Sequence, residues 1–385
     1  MTTPSRSVDE ALAWLATRRP AAEALLRALV EAGSFTQDRA GVARVGDLVA
    51  PELEAAGLAV ERLPGERLGP HLAFRGGAAG APVFLVGHLD TVFPPGTFEG
   101  FRVEGDEGRG PGVFDMKGGV VVMLLGLAAA RRAGLLERVP LAGLLVGDEE
   151  VGSPESQPHL RRLAAGARAA LCFESGRAGD LIVTARKGTA SVRVTAHGVA
   201  AHAGNAHAQG KNAIWALARF VDLAQRLTDY AGGVTVSVGT IRGGTTKNTV
   251  PDHAECEVDL RFLSGADGAR LEAALREAAA AAALPGTRLE LDRSSWRDPL
   301  ERTGASAALA AAYGACQRSC GLGSGEAELV GGGSDACTTG ALGVPSIDGL
   351  GPRGRAFHTR EEAVDLGSIV PKAQAFLRFL ATLAG

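Results

Sequence analysis

Neither sign of charge dominates this chain: 40 Lys and Arg stand against 43 Asp and Glu, a formal net charge of -3, and no basic stripe with interleaved aromatics occurs. The electrostatic footprint of a nucleic-acid binder is missing, so nucleic acid is not expected as a partner. There is no run of about 18 uninterrupted apolar residues, the length a membrane span needs, and Met1-Thr-Thr-Pro-Ser-Arg-Ser7 lacks the apolar stretch of a secretory signal. The expectation is therefore a protein of the cytoplasm with no membrane partner. Cysteine is scarce: Cys172, Cys256, Cys316, Cys320 and Cys337 follow no pairing pattern and read as reduced thiols. Cys316 and Cys320 fall one turn apart on a helical pattern and read as core or surface positions rather than metal ligands. Internal repeats are absent. No G-x-G-x-x-G follows the first apolar strand with an acidic residue suitably placed downstream, which speaks against a dinucleotide-dependent oxidoreductase.

What is present is ample core material, 46% hydrophobic residues over 385, more than one domain ordinarily uses. Residues 8–33 and 40–57 carry Ala/Leu-rich helical periodicity. Ala81-Pro-Val-Phe-Leu-Val-Gly87, Val139-Pro-Leu-Ala-Gly-Leu-Leu-Val146 and Ala169-Ala-Leu-Cys-Phe173 are short apolar runs of the kind that strands buried on both faces show. Between the first two, the continuous Ala/Val/Leu stretch 118–132 supplies the crossover helix of a βαβ unit. From about Gly188 the texture changes to alternation, as in Ser191-Val-Arg-Val-Thr195 and 254–262, which indicates an antiparallel sheet with one wet face. Helical patterns at 211–228 and 266–283 intervene, and the alanine run 278–283 reads as a helix end. The expected fold is α/β: residues 1–187 and 299–385 build a mostly parallel sheet sandwiched by helices, interrupted by an α+β insert over 188–298 with two helices on an antiparallel sheet.

Acidic residues and histidines stand at the C-terminal ends of these strands, where open α/β sheets bind their ligands. In Gly87-His88-Leu-Asp90-Thr91 the histidine can offer one ring nitrogen to a metal while Asp90 fixes the other; a turn capped by Asp90 is the alternative. Asp115, in Gly110-Pro-Gly-Val-Phe-Asp115-Met-Lys-Gly-Gly119, is either a ligand or a simple helix N-cap. Asp148-Glu149-Glu150 places three carboxylates directly after a buried strand, a costly cluster unless a cation sits among them, or else a solvated acidic turn. Glu174 ends the third strand, and His358 follows a glycine-rich loop; each has an ordinary structural reading on its own. Together the positions supply two histidines and three carboxylates, a nitrogen-and-oxygen set suited to zinc, with one glutamate left for proton transfer.

In this order, His88-x-Asp90, Asp115-Met-Lys-Gly, Asp148-Glu149-Glu150, Glu174 and His358 resemble the dizinc amidohydrolases and exopeptidases, the group of acetylornithine deacetylase, succinyl-diaminopimelate desuccinylase, peptidase T, aminoacylase and bacterial glutamate carboxypeptidase. The resemblance spans essentially the whole chain. Gly87–Lys117, with His-Leu-Asp-Thr-Val-Phe-Pro and Gly-Val-Phe-Asp-Met-Lys-Gly, looks most like the glutamate-carboxypeptidase branch. It implies that Asp115 bridges two zinc ions, with cobalt or manganese able to substitute. His88 and Glu174 then complete one ion, and Glu150 and His358 the other. Glu149 becomes the general base, and a cis peptide bond is expected at Asp115–Met116. Two ions about 3.5–4 Å apart share a water, lower its pKa and polarise the scissile carbonyl.

The resemblance also reaches the insert. Gly198-Val-Ala-Ala-His202-Ala-Gly204 is similar to the motif whose histidine enters the neighbouring subunit's site and stabilises the oxyanion, which implies a homodimer formed through the inserted lid and dimerisation domain; a polar turn is the alternative. Nearby His197 and His207 read as surface residues. Asn248 and Arg261 match positions that contact the substrate carboxylate or carbonyl, although Arg261 could be an edge-strand cation. Gly331-Gly-Gly333-Ser-Asp335 fits a turn whose backbone N–H groups hold a substrate carboxylate, and Arg297 adds a bidentate clamp on it. Glutamate-specific members carry a lysine soon after the fourth ligand, whereas here Glu174 is followed by Arg177 and, later, Lys187, which argues against glutamate specificity. The reading is a carboxypeptidase acting on a small peptide, or an N-acyl-amino-acid deacylase or dipeptidase of the same family. A scaffold protein that has lost catalysis is the alternative of another class, and no ligand has been lost.

Overall fold

A computed structural model of the chain describes residues 7–384. Its described residues divide into two compact units: 7–185, 302–330 and 334–384 form the first, and 186–301 with 331–333 the second.

The first unit is built on a six-stranded sheet. In spatial order its strands are Ala59–Leu63, His71–Gly76, Leu141–Val146, Val83–His88, Ala169–Cys172 and Ser346–Ile347. The last four run parallel to one another, and the first two add to the edge antiparallel. Those two strands are absent from the sequence expectation, because Glu61, Arg62 and Arg75 break the apolar texture; the edge strand is mostly exposed. The central strand Val83–His88 is buried at every position, the signature of a strand covered on both faces. Leu141–Val146 and Ala169–Cys172 flank it, with His88 opposite Val146 and Val86 opposite Cys172. All three strands therefore finish level at one edge of the sheet.

The crossover helix Gly118–Arg132 lies in the core, where Phe173 and Phe376 meet edge to face at 5.0 Å. Val113–Arg132 is long and apolar enough to cross a membrane, with a mean hydropathy of 1.8 over its most apolar 18 residues, but 89% of that stretch is buried inside the protein. Gly119 allows the helix start to press onto the strand end, since a Cβ there would stand 1.8 Å from the Phe173 carbonyl oxygen. The N-terminal helical stretch is two helices, Val8–Ala16 and Arg19–Glu31, and not one, with Pro20 in the first turn of the second where proline tolerates a helix start. Cys320 lies beyond the end of the helix Gly304–Arg318. All five cysteines are free thiols.

A buried charge cluster locks the C-terminal helix Leu366–Leu383 in place. Asp180, fully buried, accepts from Arg353 Nε (3.0 Å), lies 3.2 Å from Lys372 Nζ and accepts the Gly323 N–H (2.9 Å). Burial alone would raise the Asp180 carboxyl, but Arg353 and then Lys372 hold it below its ordinary 3.8. Burial pulls Lys372 down against the opposing charge of Asp180, so the importance of the pair lies in the cost of breaking it. Asp180→Asn is expected to lower stability by about 3–5 kcal/mol in chemical denaturation. Because the folded carboxyl value is depressed, this contribution is present above pH 3.8 and is lost as pH falls through the lower folded value. The variant should thus lose less stability than the parent on acidification.

The second unit is a four-stranded antiparallel sheet in the order Thr235–Gly243, His253–Phe262, Gly188–His197, Arg288–Arg297. Alternate residues Ala190, Val192, Val194 and Ala196 are buried with Ala254, Cys256, Val258 and Leu260 against the helices Ala213–Gln225 and Gly265–Ala282. Period-two burial with two helices on one face makes this an α+β unit.

Candidate metal centre

The level strand ends of the first unit collect the acidic residues and histidines. His88 closes the central strand, Glu149 and Glu150 form the turn after Leu141–Val146, and Glu174 follows Ala169–Cys172. Asp115 arrives on the turn before the Gly118–Arg132 helix, and His358 on a loop in which Ala356 (φ 57°) and His358 (φ 61°) both take left-handed backbone. The Asp115–Met116 peptide bond is cis. Asp115 does not cap the helix: the helix begins at Gly118, behind Lys117, and no side chain bonds its first turn.

Two ligand sets share Asp115. Its Oδ1 lies 3.3 Å from His88 Nε2, which in turn lies 3.8 Å from Glu174 Oε1. Its Oδ2 lies 3.2 Å from His358 Nε2, and that nitrogen lies 3.2 Å from Glu150 Oε2. In each set, His88–Asp115–Glu174 and Asp115–Glu150–His358, the ligand atoms fall within 4.8 Å of one another. Ligands held about 2.0–2.1 Å from a tetrahedral zinc ion stand about 3.3 Å apart, so these separations fit the edges of such a polyhedron. Glu150 Oε1 is buried without a hydrogen-bond partner, as an atom with a cation to meet would be.

The histidine tautomer is set by the backbone. His88 Nδ1 lies 3.0 Å from the Asp90 carbonyl oxygen, which can only accept, so Nδ1 carries the hydrogen and Nε2 keeps its lone pair facing Asp115 and Glu174. The Asp90 carboxylate performs a second task. It accepts the N–H groups of Glu149 and Glu150, both at 3.2 Å, and the Thr36 hydroxyl at 2.7 Å, and so fixes the acidic turn against the central strand. Asp148 is turned away and buried, where its Oδ2 accepts the N–H groups of Glu155 (2.8 Å) and Ser156 (3.1 Å).

The electrostatics show a site short of positive charge. Burial pulls His88 down, but Glu174, Asp115 and Asp90 outweigh it and hold the imidazole well above its usual value. Hydrogen bonds to Asp115 and Glu150 push His358 up to about 10. Burial pushes Glu150 up to about 7 and Glu174 well above the carboxylate range. Asp115, raised by burial but held by both histidines, stays far below that range. Glu149 is close enough to Glu150 and Glu174 for its charge to raise both. The donor chemistry, geometry and charge all fit divalent cations.

Two buried charged residues beside the site escaped the sequence reading. Glu362, fully buried, accepts the N–H groups of Gly112 (3.0 Å), Phe114 (2.9 Å) and Asp115 (2.9 Å). Burial pushes Glu362 up to about 7, and burial likewise brings Lys117, in the same turn, down to about 7.

The remaining sequence-predicted residues belong to the second unit. His202 and Asn248 are neighbours on the two-stranded ribbon of Ala201–His202 and Thr249–Val250, where the Asn248 carbonyl accepts the Ala203 N–H at 2.9 Å. Both are exposed. His202 Nδ1 accepts the N–H groups of Gly204 (3.1 Å) and Asn205 (3.0 Å), which leaves Nε2–H as a free-facing donor in the neutral ring. Arg261 is no edge-strand cation: its strand lies inside the sheet, and alternation places it on the polar face beside Asp259, which it grips through two bonds of 2.8 and 2.9 Å. Arg297 is buried, and a Cβ at Gly333 would stand 2.6 Å from its Cδ, so these two lie together.

A family model for the peptidase dimerisation domain matches residues 184–287. Carboxypeptidase G2 of Pseudomonas sp. (strain RS-16) is 30% identical over 369 residues, 94% of this chain and 89% of the relative. The chain belongs to the M20 peptidase family. A succinyl-diaminopimelate desuccinylase of Methylobacterium sp. (strain 4-46) is 33% identical over 304 residues, 71% of this chain and 74% of that one. The fold is shared with an M20 family metallo-carboxypeptidase from Sulfolobus solfataricus (TM-score 0.74, 16% identity, 94% and 98% coverage). It is also shared with a Staphylococcus aureus tripeptidase (TM-score 0.77, 19% identity, 95% and 98% coverage). As an M20 peptidase homologue, the protein is a metal-dependent hydrolase.

Proposed function

We propose that this M20 enzyme hydrolyses an amide bond, peptide or N-acyl, next to a free carboxylate, as a carboxypeptidase of the glutamate-carboxypeptidase type with two zinc ions per subunit. The observation that carries the reading is the sharing of one carboxylate, Asp115, between two histidine-containing ligand sets. His88 and Glu174 with Asp115 would hold one ion, and Glu150 and His358 with Asp115 the other. Bound there, the ions supply Lewis acidity toward the scissile carbonyl and acidify water at neutral pH.

The chain's own groups do the rest. Glu149, which stands outside the two ligand sets but beside them, takes one proton from water as its oxygen adds to the carbonyl carbon. It returns that proton to the departing nitrogen as the C–N bond breaks, which releases an acid and an amine. Asp90 keeps both His88 and the Glu149–Glu150 turn in register. His202, with its Nε2–H presented, would donate to the oxyanion of a partner subunit, with Asn248 beside it; this implies a homodimer through the inserted unit, in keeping with the dimerisation-domain match. Arg297 and Gly333 would hold the substrate carboxylate. Arg261 joins them only by releasing Asp259. Arg177, in place of a lysine after Glu174, supports a preference other than glutamate. Reduced thiols support a cytoplasmic location.

The testing experiment is a panel of dipeptides and N-acyl amino acids, assayed with and without chelator. Expected are turnover confined to substrates with a free carboxylate beside the amide, loss on chelation and recovery with zinc; manganese or cobalt should restore part of it. Turnover of carboxyl-blocked substrates at equal rates would remove the carboxylate requirement. A preference for N-acyl amino acids over dipeptides would move the reading to a deacylase within the same family.

A further inference from the structure

We propose that Glu362 is a positioning residue for the Asp115–Glu150–His358 ligand set, a buried clasp that joins the turn presenting Asp115 to the segment presenting His358, with Lys117 as its counter-charge. The proposal rests on the reading that these residues bind metal.

Three consecutive-turn donors converge on one carboxylate. Gly112 N–H donates to Oε2, and Phe114 and Asp115 N–H donate to Oε1. One of these is the amide of the bridging aspartate itself, so the Asp115 backbone is fixed by Glu362 directly. Gly112 takes a left-handed φ of 75°, and its turn closes through the Lys117 N–H to the Gly112 carbonyl at 2.9 Å. At its other end Glu362 follows His358 by four residues. It is anchored on both sides: its N–H donates to the Thr359 carbonyl at 3.1 Å, and Ala363–Asp365 pairs with Glu107–Arg109. Outside this anchor, Glu361 pairs with Arg109 at 3.1 Å. The loop between, with left-handed Ala356 and His358, therefore hangs from a fixed point that also holds Asp115. The ladder to Glu107–Arg109 and the Phe114–Phe357 ring contact also join the two segments, but Glu362 is the contact that bonds the Asp115 amide itself.

Lys117 completes the arrangement. It is only 1% exposed, and its Nζ has no hydrogen-bond partner. Its stem runs beneath the same turn, 3.4 Å from where a Gly112 Cβ would stand, and Glu362 and Asp90 are the carboxylates whose charge reaches it. A buried cation of this kind is tolerated only beside compensating charge. Both acids that compensate it hold ligand-bearing turns, Glu362 the Asp115 turn and Asp90 the Glu149–Glu150 turn.

The experiment uses the full chain and four proteins: parent, Glu362→Gln, Lys117→Met and the double variant Glu362→Gln/Lys117→Met. Cobalt and zinc affinities are measured by chelator competition, and kcat and KM at limiting and saturating metal. In Glu362→Gln the amide nitrogen faces an N–H donor. One of the two metal-binding steps should then weaken by about 10–100-fold, as is usual when a partner behind a ligand is lost. The other step, which shares Asp115 but not His358, should weaken less. At limiting metal kcat falls, and it recovers as metal is added, with KM unmoved. The double variant regains the stability that the single change loses but keeps the weakened step. Glu362→Asp, shorter by one methylene with the charge retained, should weaken the same step and serves if the neutral variants do not fold. A folded Glu362 variant that binds both ions as tightly as the parent, with unchanged kcat at limiting metal, overturns the proposal. A parent that binds no divalent metal would instead overturn the hydrolase reading beneath it.

Discussion

Glu149→Gln should lower kcat by about 10²–10⁴-fold while both metal ions stay bound. Glutamine preserves the volume and leaves the backbone N–H of residue 149 on Asp90, so the turn that carries Glu150 keeps its place. What disappears is a carboxylate able to take a proton and give it back. Because that exchange belongs to the transition state and not to substrate binding, KM should move little and kcat/KM should fall with kcat. Metal content by atomic emission must be measured beside the rate, since only unchanged occupancy separates a lost base from a lost ligand. A rate within a few-fold of the parent would reassign the base to another group.

Asp115→Ala is expected to have a still larger effect, because this residue alone serves both ligand sets. Its two oxygens stand 3.3 Å from His88 Nε2 and 3.2 Å from His358 Nε2. Removing them leaves each set with one histidine and one glutamate, too few to hold zinc in a three-ligand protein site. Metal content should fall from two ions toward none under dialysis, and activity should fall below detection at any practical metal concentration. The fold should survive, because the backbone N–H of residue 115 stays on Glu362 and the turn keeps its place. A variant that retained one tightly bound ion would show that one set has a further ligand.

The core strands and their terminal residues were legible because burial on both faces writes itself as uninterrupted apolar runs, as in Val83–His88, and a carboxylate or histidine at the end of such a run stands out. The period-two texture of 254–262 was equally legible, and it already placed Asp259 and Arg261 on one face; reading Arg261 as a possible edge cation overlooked that Gly188–His197 and Thr235–Gly243 could flank it. The edge strands Ala59–Leu63 and His71–Gly76 were not legible. An exposed edge imposes little hydrophobic pattern, and its charged residues resemble a loop. Glu362 was hidden for a different reason: its work is done by accepting backbone N–H groups from a turn some 250 residues away, as the Gly112 bond shows, and no local pattern records such a contact. Lys117 was quoted within its motif, but only burial without a hydrogen bond distinguishes it from a surface lysine.

Everything in this enzyme's proposed chemistry depends on Asp115 joining two cation sites. Titration of the metal-free chain with zinc, followed by equilibrium dialysis and metal counting, tests it most directly. Two ions per subunit are expected in the parent, and the loss of both in Asp115→Ala. One ion or none in the parent, or full activity in a chain stripped of metal, would contradict it.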